Sequence, residues 1–192
     1  KGPEHIEIHN LTNNDDLYSL SQIPLSHVKT IVFKNCQFHA PSQFKVFKHC
    51  GFFQNVSNWE FYNCDLTKEI LKTFFINKTT KPAESLVVQP KGNGLELFET
   101  LTKWKKLEQV TRFAFIGSSI GKDELEVFLK TNMFQKLEYL DISETKFYDD
   151  GLIDFVTKFN NPKLKGLFIK NCGITSKLVC TLLKNKAFSN LQ

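Results

Sequence analysis

The chain has 192 residues, 41% hydrophobic and 23% charged, with a formal net charge of +5 at pH 7. That supplies the core of one domain or a short repeat array, while no run of about 18 apolar residues is present to cross a bilayer. The cations are lysines except for Arg112, the one arginine. Without guanidinium forks to grip phosphates and guanine edges, a nucleic-acid partner is not expected. The excess of Lys, Asn and Phe reads as coding bias from an AT-rich genome.

Residues 1–27 place Ile6 and Ile8 at strand-like alternation and Leu17 and Leu20 at a helical step. They are expected to form a shortened, atypical first unit, as a polar-faced cap would be. From Val28 a template takes over, with apolar or small residues at positions 1, 4, 6, 9 and 11. VKTIVFKNCQF from Val28 fits it, then VSNWEFYNCDL from Val56, a weaker AESLVVQPKGN from Ala83, and VTRFAFIGSSI from Val110. LEYLDISETKF from Leu137 and LKGLFIKNCGI from Leu164 follow, and Leu191 opens another. Successive starts differ by 28, 27, 27, 27, 27 and 27 residues, a register that marks an internal repeat.

Alternation at positions 4 to 7 predicts a half-buried strand. The second half of each unit predicts a helix, with Leu71, Phe74 and Phe75 recurring as Leu125, Phe128 and Leu129, as Leu152, Phe155 and Val156, and as Val179, Leu182 and Leu183. Steps of three and four residues put these on one buried helix face. In the weak third copy Pro90, Lys91 and Asn93 break the template, so the chain is expected to bulge outward after Val88, since an unpaired lysine cannot stay in a core.

The LxxLxLxxCxI pattern followed by a helix, at 27–28 residues, resembles the ribonuclease-inhibitor-like and cysteine-containing subclasses of leucine-rich repeats over residues 28–192. The resemblance implies an α/β solenoid, a horseshoe with a parallel concave sheet and convex helices. It also implies that the ninth side chain (Cys36, Cys64 and Cys172, with Ser118 and Thr145 in other units) points inward and hydrogen-bonds loop backbone. The opening on Lys1 and the stop two residues into a new unit lead to the expectation of a fragment.

Catalytic chemistry is not expected. The five cysteines form no CxxC pair and read as reduced structural thiols of a cytoplasmic protein, Cys50 and Cys180 lying in helical halves. His27, Cys36, His39, His49 and Cys50 match no zinc spacing, so no metal is expected, and no cofactor. Asp123, Glu124, Asp149, Asp150 and Asp154 crowd helix starts, where acidic residues favour the dipole. KGNG at 91–94 is a turn, not a phosphate loop. The sequons at Asn10, Asn55 and Asn77 do not establish secretion.

Positions 2, 3, 5, 7 and 8 are expected on the open face. They supply five cations (Lys29, Lys34, Arg112, Lys165, Lys170) and five anions (Glu60, Glu84, Glu138, Asp141, Glu144), a neutral face with segregated signs of the kind that sets a protein partner's register. Tyr62, Tyr139, Phe168, Ile116 and Val87 add apolar area. The expected function is protein–protein recognition by a monomer, with no membrane contact, through Tyr62, Arg112, Tyr139, Asp141, Phe168 and Lys170. Such repeats also serve as inhibitors, sensors, ubiquitin-ligase adaptors and bacterial effectors acting in a host cytosol. The alternative is a regulatory or targeting segment of a larger enzyme or adaptor.

Overall fold

Alternating apolar side chains make each template's middle a strand, and the strands stack in the order in which the chain supplies them. The computed structural model describes residues 2–12, 14–23, 26–38, 53–76, 81–92, 94–101, 104, 107–131, 134–147 and 149–191. Strands β1 (His5–His9), β2 (Thr30–Lys34), β3 (Asn58–Cys64), β4 (Ser85–Pro90), β5 (Arg112–Phe115), β6 (Tyr139–Asp141) and β7 (Gly166–Phe168) form one all-parallel sheet in that order. The helices are α1 (Asn14–Ser21), α2 (Lys68–Ile76), α3 (Leu95–Leu101), α4 (Lys122–Lys130), α5 (Asp149–Lys158) and α6 (Ser176–Lys184). None is long and apolar enough to cross a membrane among the described residues.

The register is the one that aligns the template. Thr30, Asn58, Ser85, Arg112, Tyr139 and Gly166, each the third residue of its unit, are successive neighbours across the sheet. One carbonyl at position 2 organises each junction: Glu138 and Tyr139 N–H both donate to Thr111 O, and Lys165 and Gly166 N–H both donate to Glu138 O. A carbonyl has two lone pairs, so one oxygen can hold the start of the next strand at two points.

Positions 4 and 6 face the helices and are buried: Ile31 and Phe33, Trp59 and Phe61, Leu86 and Val88, Phe113 and Phe115, Leu140 and Ile142. Helix residues Leu71, Phe74, Phe98, Leu125, Phe128, Leu152 and Phe155 close over them. Much of this layer is aromatic. Phe33 stacks on Phe61 at 5.3 Å, and Phe74 meets Trp59 edge-on at 5.5 Å, geometries that satisfy the ring quadrupoles.

After each strand the chain must turn sharply. Asn10, Asn35, Asn63, Glu144 and Asn171 do so at φ between 51° and 58°, Gly117 at 71°; asparagine tolerates this left-handed region better than most side chains. The turn brings the next side chain inward. Cys64 Sγ donates to Phe33 O at 3.5 Å, Thr145 Oγ1 to Phe115 O at 3.4 Å and Cys172 Sγ to Ile142 O at 3.1 Å. Each unit's ninth side chain thus ties its turn to the preceding strand. Two units depart from this: Ser118 Oγ is buried with no hydrogen-bond partner among the described residues, and Lys91 turns outward to Asp65.

Two expectations fail here. The strand of the third copy does not leave the sheet after Val88 but runs on to a buried Pro90, with a register shift opposite Tyr62 and Cys64. The core avoids Lys91 because that side chain turns outward, 3.5 Å from Asp65. On α6, Val179 (43% exposed) and Leu183 (83%) are open although their columns are buried earlier. Leu178 packs back on the preceding unit instead, and no described unit follows to cover the other side. His39, His49, Cys50, residues 77–79 and Asn93 lie outside the described residues.

Candidate functional site

Positions 3, 5 and 7 point away from the helices, so the open face can be read as rows across neighbouring strands. The fifth-position row runs Glu7, Val32, Glu60, Val87, Ala114, Asp141, Phe168. Its small members are floor, not contact surface: Val87 is 2% exposed and Ala114 3%. The expectation that Val87 adds apolar contact area is corrected, because its side chain is almost wholly buried. Ile116 stays half-exposed.

A hollow of about 560 Å³ on this face is lined by Glu60, Glu84, Arg112, Tyr139 and Phe168, among others. Tyr139 is 38% exposed and Phe168 53%. They reach each other's neighbourhood because Gly166 lies between them: a Cβ there would stand 2.7 Å from Tyr139 Cδ1 and 3.3 Å from Phe168 Cε2. A side chain at 166 would force the rings apart. Phe168 also borders a second hollow with Asp141, Lys170, Ile116 and Ile174.

Five of the six residues picked from the sequence (Arg112, Tyr139, Asp141, Phe168, Lys170) therefore line two adjoining hollows. Tyr62 stands outside both. Its hydroxyl donates to Glu60 Oε2 at 2.9 Å, and burial together with that bond pushes its pKa up to about 12. Arg112 and Asp141 act on the phenol through space with opposite sign, so Tyr62 is tied to the hollows electrostatically. Asp141 Oδ1 accepts Ser143 N–H at 2.9 Å, which fixes the carboxylate over its own turn.

The charge of the face also needs correcting. β1 joins the sheet with Glu4 and Glu7 on the same side, and they were left out of the neutral count. Seven carboxylates now face five cations, so the surface is −2 on a chain of +5. Lys29 pairs with Glu4 at 3.2 Å, Lys34 with Glu7 at 2.7 Å and Lys165 with Glu138 at 2.8 Å. The last pair joins neighbouring units whose charges looked segregated in the sequence. Glu7 also takes hydrogen bonds from His5 and His9; with Lys34 they hold its carboxyl near 2. The alternation of His5, Glu7 and His9 was the signal for this cluster.

The neighbouring thiols of Cys36 and Cys64 act on each other, drawing Cys36 down to about 7 and pushing Cys64 up, yet neither has any exposed surface. Cys36, Cys64, Cys172 and the exposed Cys180 are free thiols. No group of three or more His, Cys, Asp or Glu among the described residues could hold a metal ion. No protein-family model matches the chain, and no curated protein matches it in sequence.

Proposed function

We propose that this protein is a leucine-rich-repeat horseshoe that binds another protein on the concave side of its sheet and performs no chemistry of its own. Three features support the architecture: a parallel sheet in strict chain order, a 27-residue step between paired strand positions, and inward ninth side chains tied to backbone. The observation that carries the function is the exposure of Tyr139 and Phe168 side by side on the open sheet face, beside a hollow of about 560 Å³. Aromatic residues and arginine dominate the energetics of protein interfaces, and Arg112 lines the same hollow.

The test needs a partner first, captured with the wild-type chain as bait and then identified. The variant Tyr139→Ala, Phe168→Ala should weaken its binding by at least about 2 kcal/mol, with a melting profile close to wild type. Lys130 and Lys158 on the helical side serve as controls, since both pair with Glu126 there at 3.6 Å. Undiminished binding by the double variant would remove the open face from consideration.

A further inference from the structure

The charge of the open face opposes that of the whole molecule, and what remains after internal pairing is sharper still. Three of the five cations on the face are bound to carboxylates of the same face. Around the larger hollow, Glu84 makes no side-chain ion pair with a described residue, and Glu60 has only the Tyr62 hydroxyl. Arg112 is the opposing charge, and its guanidinium has no hydrogen-bond or ion-pair partner among the described residues. Two carboxylates against one guanidinium leave the hollow negative.

Resting on the protein-binding reading above, we propose that this hollow seats a basic side chain, lysine or arginine, carried on an extended segment of the partner. Its charged head lies between Glu60 and Glu84, where charge-assisted hydrogen bonds form at both carboxylates. The segment continues across the sheet over Tyr139 and Phe168, two and three strands beyond β4, whose rings cover its apolar atoms. Arg112 repels a second cation and offers its N–H groups to the carbonyls of the segment's main chain. The acidic face steers such a segment inward while the rest of this basic molecule repels it, so encounter is confined to the sheet side.

The probes are two fluorescein-labelled ten-residue Gly-Ser peptides, one carrying three lysines and the other three glutamates. Binding to the full chain is read by fluorescence anisotropy at low and moderate salt. The lysine peptide should bind, weaken with salt, and lose at least tenfold in affinity with Glu60→Gln, Glu84→Gln. Phe168→Ala should weaken it too, and Glu126→Gln on the helical side should not. Circular dichroism melts confirm that each variant is folded. Lysine-peptide binding that ignores Glu60→Gln, Glu84→Gln overturns the proposal. So does a glutamate peptide that binds more tightly and is released by Arg112→Gln; in that case the face still binds and only the sign of its ligand is wrong. If neither peptide responds to any open-face variant and the captured partner ignores Tyr139→Ala, Phe168→Ala, the surface reading falls as well.

Discussion

Leu140 and Tyr139 are adjacent in β6 but lie on opposite sides of the sheet, so truncating each in turn reports which side is core. Leu140 has no exposed surface and sits between Phe113 and Leu167 of the flanking strands. Leu140→Ala removes three carbons, about 2.4 kcal/mol of transfer free energy at roughly 0.8 kcal/mol per methylene. Flanking strands cannot collapse into the gap without breaking register, so a cavity term brings the expected loss to about 3–4 kcal/mol. Tyr139 keeps more than a third of its surface in water and lies over Gly166, so Tyr139→Ala should cost about 1 kcal/mol. Urea melts followed by circular dichroism and tryptophan fluorescence measure both, compared at a common m value. Equal losses for the two variants would refute the assignment of faces, and with it the surface on which binding is argued.

Tyr62 should ionise only near pH 12 in an ultraviolet titration, and Glu60→Gln should bring its pKa down because the carboxylate's bond and charge both oppose the phenolate. Its folded pKa lies above the ordinary value of 10, so the stability it contributes is complete below pH 10 and is lost as pH rises through about 12. Ser118→Ala should leave the melting temperature unchanged or raise it, because a buried hydroxyl without a partner is a cost. Cys172→Ala should lower it, since Cys172 Sγ bonds Ile142 O; the opposite order would contradict the role given to the ninth position.

The repeat made the sheet legible because positions 4 and 6 do the same task in every unit and position 9 in most, so six copies outvote local noise. What stayed hidden depends on neighbours 27 residues away. Val87 and Phe168 share a row, yet Val87 on a central strand is covered and Phe168 on the last strand of the sheet stands clear. Gly166 reads as a small residue in its own unit; it becomes the gap that lets two rings approach only once it is paired with Tyr139. Glu4 and Glu7 escaped the charge count because the shortened first unit does not follow the template. Val179 and Leu183 are exposed on α6 although residues of the same columns are buried in earlier units, so the column by itself does not decide burial.

Sheet order that equals chain order has a mechanical consequence. The extensively contacting elements are sequence neighbours, strand on next strand and helix on next helix, so tension applied at the two ends peels the sheet at its margins rather than shearing all the strands at once. Each unit released would lengthen the tether by about 90 Å, the contour of 27 residues. Stretched between two beads, the molecule should give a run of small, evenly spaced steps at low force, behaving as a row of links and not as a single clasp.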